Sequence, residues 1–114
     1  MERYRYVRDG KVAIVCTNRY GAGWSSQNEN YAETLLFHPK IVEMVIQGKE
    51  NEMDEKWFMD NLGWDSKTAH DLYLEGRRNL YIDLLPEGTF FTVEEYDGLE
   101  TIKVINVPEN MFRA

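Results

Sequence analysis

Apolar positions in this chain keep a period of two at both ends and a helical period between them. In "RYRYVRDGKVAIVCT" (3 to 17) two β-rich runs flank Asp9-Gly10, the pair that best tolerates the positive φ of a type I′ turn, so the segment reads as a hairpin. Such a turn pairs Val7 with Val12, Arg5 with Ile14 and Tyr4 with Val15. Residues 12 to 16 are apolar on both faces, which marks a central strand, whereas arginines at alternate positions of the first run suit an edge.

The period then lengthens. Asn30 followed by Glu33 has the spacing of a capping box ahead of "YAETLLF", and Pro39 fits the first position of a second helix, "PKIVEMVIQ", that Gly48 would end. "EMDEKWFMDNL" places Met53, Trp57 and Phe58 on one side with Gly63 as its stop, and Ala69, Leu72 and Tyr73 indicate one more short helix before Gly76. From residue 79 the period of two returns in "NLYIDLL", "TFFTVEEY" and "LETIKVI", joined by Pro86-Glu87-Gly88-Thr89 and by Asp97-Gly98. The expectation is a single α+β domain over 1–114. Its antiparallel sheet is built from the N-terminal hairpin and a C-terminal three-stranded meander, with three or four short helices inserted between them and packed as one layer.

Composition agrees with a self-sufficient core. At 114 residues, 43% hydrophobic and with Trp24, Trp57 and Trp64 among its aromatics, the chain is far from the depleted composition of a disordered segment. Cys16 is the only cysteine, so no internal disulfide is available and a reducing, cytoplasmic setting is expected. The N-terminus lacks the apolar core of a signal peptide and no apolar run is long enough for a bilayer, so no membrane association is expected. The net charge of −7 argues against binding a nucleic-acid duplex. Residues 1 to 20 nevertheless carry five Lys/Arg against two Asp/Glu, a local cationic edge on an acidic body that suits a small anion.

"NRYGAGWSSQNENY" (18 to 31), between the central strand and the first helix, is the densest concentration of candidate chemistry. Gly21 and Gly23 permit backbone conformations in which successive N–H groups form an anion-binding concavity. Arg19 adds charge, Ser25 and Ser26 hydroxyls, Asn28 an amide, and Tyr20 or Trp24 a flat surface for a base or sugar. These residues form the expected cradle for a small anionic or nucleotide-like ligand, with Arg3 or Arg5 nearby. An equally simple alternative is that the glycines only turn the chain while Trp24 fills the core. The loop is neither a dinucleotide fingerprint nor a P-loop.

Register supplies a second candidate. A two-residue turn at Asp97-Gly98 pairs Val93 with Ile102 and Phe91 with Val104, and brings Glu95 opposite Glu100 on the same face. Two facing carboxylates need a cation, an arginine, a shared proton or access to water. Tyr96, Leu99, Phe90 and Ile105 fall on the other face beside Glu94 and Lys103, a composition found at protein interfaces. His38 and His70 lack metal-ligand spacing, Ser25 and Ser26 lack a nucleophile elbow, and Cys16 sits in an apolar run, so neither a metal nor a cofactor is implied.

"YGAGWS" (20 to 25), "LLFHPKIVEMV" (35 to 45) and "LPEGTFFTVEEYDGLE" (85 to 100) together resemble a group of short, uncharacterised bacteriophage and prophage proteins, over most of the chain outside residues 49 to 79. The resemblance implies a phage context, with host cytoplasm as the location, and no reaction. Small acidic phage proteins often sequester a host nucleotide signal as counter-defence or block a host enzyme. Three readings follow: a non-catalytic binder of a small anionic or nucleotide-like ligand, an acidic module that inhibits a host protein, and a metal-dependent phosphoesterase using Glu95 and Glu100. A homo-oligomer through the arginine-bearing edge strand is compatible with each.

Overall fold

A computed structural model describes residues 4–106 and 111–114. Among the described residues six strands and four α-helices run in the order β1 (Val7–Arg8), β2 (Lys11–Thr17), α1 (Ala32–Phe37), α2 (Pro39–Ile46), α3 (Glu55–Leu62), α4 (Ser66–His70), β3 (Leu80–Pro86), β4 (Phe90–Tyr96), β5 (Leu99–Val104) and β6 (Phe112–Arg113). The α+β class holds. The strands, however, divide into two antiparallel three-stranded sheets, ordered β1-β2-β3 and β5-β4-β6, where one sheet was expected.

The division has a local cause. The two-residue turn forms at Asp9-Gly10, both with positive φ, and pairs Val7 with Val12 as expected. Pairing stops there: Arg5 leaves the expected place opposite Ile14, lays its guanidinium 3.5 Å from the centroid of the Phe37 ring and bonds Glu33 at 3.0 Å. Strand β2 is instead held along its whole length by β3, from Lys11 opposite Pro86 to Thr17 opposite Leu80. With β3 engaged, the Pro86–Thr89 turn passes from one sheet to the other, and the meander expected through β3, β4 and β5 does not form. The C-terminal β6 takes the vacant side of β4, pairing Phe90 with Arg113 and Phe91 with Phe112.

Strand β2 is central, as its two apolar faces require. Ala13 and Val15 pack with Trp24, Leu35, Ile41, Val42, Met53 and Phe58 on the helical side. Val12, Ile14 and Cys16 pack with Leu36, Phe37, Phe91 and Ala114 between the sheets. Three layers result: helices, first sheet, second sheet.

Helix boundaries follow their caps. Pro39 opens α2, and His38 Nδ1 accepts the Lys40 N–H at 3.1 Å. Asp54 and Asp65 cap α3 and α4 through side-chain oxygens, and Gly63 ends α3 in the left-handed region. The Asn30/Glu33 capping box does not form. A 3-10 turn over Glu29–Tyr31 runs into α1, whose N-cap, Tyr31, makes no side-chain capping bond.

Candidate functional site

The 18–31 loop leaves the end of β2, crosses the top of both sheets and enters α1. Its course is fixed by close backbone approaches. A Cβ on Gly76 would lie 2.3 Å from the Gly23 carbonyl oxygen, and one on Gly98 would lie 2.5 Å from the Ala22 nitrogen. The loop is therefore clasped between the segment before β3 and the β4–β5 turn, at two places where only glycine fits.

Inside that clasp is an anion-binding nest, and it is occupied by Glu100. This side chain is fully buried. Its Oε1 accepts the Thr17 N–H at 3.0 Å, and its Oε2 accepts the N–H groups of Trp24 and Ser26, each at 2.9 Å, together with the Ser26 hydroxyl. Thr17, like Ala13 two pairs earlier, directs its N–H away from β3. The carboxylate thus fills, at the end of β2, the place that a longer β1 would have taken. Thr17 Oγ1 donates to the Gly98 carbonyl at 2.6 Å and Tyr81 OH to the Glu100 carbonyl at 3.2 Å, tying the same corner from both sides.

The expected cradle residues do not converge on an open surface. Trp24 is fully buried and donates its indole N–H to the Leu35 carbonyl at 2.9 Å. Asn28 is an interior bridge: its Nδ2 donates to the carbonyls of Trp24 and Tyr73, and its Oδ1 accepts the Tyr73 N–H at 2.7 Å. Gly21 N–H donates to the Asp97 carbonyl at 2.6 Å, and the Gln27 and Asn28 amides close 3-10 bonds to Trp24 and Ser25. Gly23 is buried against Ser26 and Glu100, Ser25 is buried and Ser26 half-buried. Of these residues Arg19, Tyr20 and Gly21 are displayed to solvent, and the Gly21 N–H is already engaged. Arg3 lies outside the described residues, and Arg5 is engaged with Phe37, Glu33 and the Arg113 carbonyl.

Glu95 stands opposite Glu100 as the register requires, but the two carboxylates part. Glu95 Oε1 accepts the Gly98 N–H at 2.6 Å and caps its own turn, while Glu100 turns inward. Among the described residues no group of three or more His, Cys, Asp or Glu side chains has the geometry to hold a metal ion. Cys16 is sealed between the sheets; burial, with Glu100 and Asp83 adding to it, drives its thiol far above the ordinary range and out of reach of nucleophilic chemistry. Burial likewise pushes the neighbouring Tyr81 phenol up to about 12.

Two features of this corner escape a reading of the loop by itself. Glu100 occupies an inward position of its strand, beside Ile102, where a carboxylate needs donors; the glycine loop is rich in donors and needs an anion. Each signal is visible in the sequence, but their meeting depends on a fold that joins residues 74 to 83 positions apart. Gly76 reads as a helix stop, and its true role appears only with Gly23 against it.

The surface left open is of another kind. On the outward face of the second sheet Tyr96 is 74% exposed and Phe90 39%, and Tyr20, 63% exposed, meets Tyr96 edge-to-face with ring centroids 6.1 Å apart. Glu94 and Lys103 pair at 3.4 Å on that face. On the inward side, a groove of about 620 Å³ runs between the loop and the second sheet, lined by Ser25, Ser26, Glu29, Ala32, Val93, Glu95 and Phe112. Among the described residues no helix is long and apolar enough to cross a membrane. Comparison of the chain with protein-family models, with curated proteins and with solved structures finds no match.

Proposed function

We propose that the protein acts by binding another protein, without catalysis, through the outward face of its second sheet extended by Tyr20. The observation that carries this reading is the exposed pair Tyr20 and Tyr96, in contact at one end of a sheet face that exposes Phe90 at its other end, in a chain whose Trp24, Phe37, Phe58 and Phe91 are all fully interior. Aromatics with charged neighbours on a sheet face have the composition of an interface centre and rim. The groups that would have carried chemistry are engaged internally, which also favours binding over turnover. The phage resemblance makes a bacterial host protein the natural partner, and the net charge of −7 favours a basic surface on it.

Capture from host lysate by the wild-type chain and by a Tyr20→Ala/Tyr96→Ala double variant tests this. Both residues are exposed, so the variant should keep its melting temperature within a few degrees. The expected outcome is one stoichiometric partner that the variant no longer retains; equal retention by both overturns the reading.

One observation keeps the small-ligand reading in view. Arg19 and Tyr20 stay exposed side by side next to Tyr96, a cation and two ring faces of the sort a nucleotide stacks on. Under this second reading a saturating nucleotide, at about a hundred times its dissociation constant, stabilises the protein by roughly 2.7 kcal/mol. A panel of nucleotides that leaves the melting curve unmoved rules it out.

A further inference from the structure

Each sheet ends in two edge strands, and among the described residues the chain guards three of these four edges with its own groups. On the first sheet, β1 is only two residues long. On β3 the backbone groups of residues 80, 82, 84 and 86 face away from β2, because the alternate residue Asn79 accepts the Asn18 N–H. Of these, the Leu84 N–H donates to the Asp83 carboxylate at 2.9 Å, and Pro86 has no N–H to offer. On β6 the Ala114 N–H serves the inner side, so Arg113 faces outward, and its carbonyl accepts the Arg5 guanidinium at 3.1 Å. Very short strands, prolines and capped backbone groups are how a fold keeps other chains from adding to its sheets.

The fourth edge, β5, is left open. Ile105 donates its N–H to Phe90, so by alternation the backbone groups of Ile102 and Val104 face away from β4, and among the described residues none of them has a hydrogen-bond partner. The Glu100 carbonyl takes the Tyr81 hydroxyl, so the open run begins at Ile102. Lysine is the charge that most often guards an edge, but Lys103 draws its ammonium back onto the sheet, to Glu94 at 3.4 Å. Burial points the same way. Val104 lies on the inward face opposite the fully buried Phe91, and yet is 56% exposed.

We propose that an extended segment of the binding partner adds to the second sheet as a strand along β5, pairing with Ile102 and Val104 and laying an apolar side chain over Val104. This mode of contact rests on the protein-binding role proposed for the second sheet. Main-chain bonds supply the affinity and alternate side chains the selectivity. The segment alternates apolar residues, on the side of Ile102 and Val104, with polar ones beside Thr101 and Lys103. The net charge of −7 favours positive charge at its ends.

The heptapeptide acetyl-KTVTVTK-amide has that alternation and charge. Titrated into the full chain at low salt, it should slow amide hydrogen exchange at Ile102 and Val104 roughly tenfold or more at saturation, while Thr101 and Lys103, already bonded to β4, keep their rates. The same peptide N-methylated at both valines has no donor for the edge and should change nothing, a control that needs no variant. Val104→Pro removes an N–H that the fold does not use, at an edge position that tolerates proline, and should abolish the effect. Absence of protection by the heptapeptide, equal protection by its N-methylated form, or protection confined to β3 overturns the proposal. Protection that grows with protein concentration before peptide is added assigns the edge to a second copy and overturns it too. The two readings fail separately. A lysate partner lost from the Tyr20→Ala/Tyr96→Ala variant but retained by V104P removes the edge and keeps the face, whereas protection by the heptapeptide with no lysate partner keeps the edge and removes the face.

Discussion

Glu100 accepts bonds from three backbone amides and a hydroxyl in a place closed to water, so its removal leaves all four donors stranded. Each unpaired buried donor costs about 1–3 kcal/mol, and some relaxation is available at the half-buried Ser26. Glu100→Ala is expected to destabilise the protein by about 3–5 kcal/mol in urea unfolding. Glu100→Gln is the sharper experiment. Its amide turns an NH₂ donor toward N–H groups that are donors themselves, so a loss of about 2–3 kcal/mol should remain although shape and volume are kept. Stability of E100Q equal to wild type would show that the nest does not depend on its anion. The same residue shows where the sequence falls silent. That Glu95 and Glu100 face each other was legible from turn length and alternation, but which of them turns inward depended on a loop folded elsewhere.

Caps were the most legible feature among the elements, and one of them carries a titration. His38 holds the first turn of α2 through a ring nitrogen that accepts the Lys40 N–H, a role open only to the neutral imidazole. Burial first, and then the positive charge of Lys40, lower its pKa below the usual 6.5. Folding therefore favours the unprotonated form. The stability this group contributes is complete above pH 6.5 and is lost as pH falls through the lower value of the folded state. His38→Asn caps the helix at any pH, so the difference in unfolding free energy between wild type and H38N should move against the wild type between pH 7 and pH 5. A pH-independent difference would contradict the capping role. Pro39, Gly48 and Gly63 announced their boundaries because their backbone constraints are local. The Asn30/Glu33 box failed because Asn28, upstream of it, is held by Tyr73 and sets a 3-10 turn that shifts the helix start.

For the whole molecule, the α+β class, Val7 opposite Val12 and the pairings across Asp97-Gly98 were readable, since they are set by residues a few positions apart, whereas the expected Arg5/Ile14 and Tyr4/Val15 pairs did not form. The partition into two sheets was not. It depends on β3 choosing β2 and on the chain end returning to β4, and period-two patterning is silent about which strand lies beside which. The C-terminal strand should consequently matter more than its two residues imply. Phe112 packs against Phe37 and Phe91, with centroids 6.5 and 5.6 Å away, and pairs beside the Phe91 backbone. Phe112→Ala is expected to cost about 2–4 kcal/mol and to uncover the edge of β4, visible as both a lower urea midpoint and concentration-dependent association in light scattering. An F112A chain that stays monomeric and melts as the wild type would place the fold's stability elsewhere.

The Glu100 contacts join residues far apart along the chain, to Thr17 on one side and to Ser26 on the other. A chain leaving the ribosome has made its glycine loop long before the carboxylate that organises it exists. Until the last hairpin closes, the amides of Trp24 and Ser26 remain hydrated and the corner stays unformed, so its ordering belongs to the final stages of folding. Refolding followed by Trp24 fluorescence in a Trp57→Phe/Trp64→Phe chain should accordingly lag behind the recovery of helical circular dichroism.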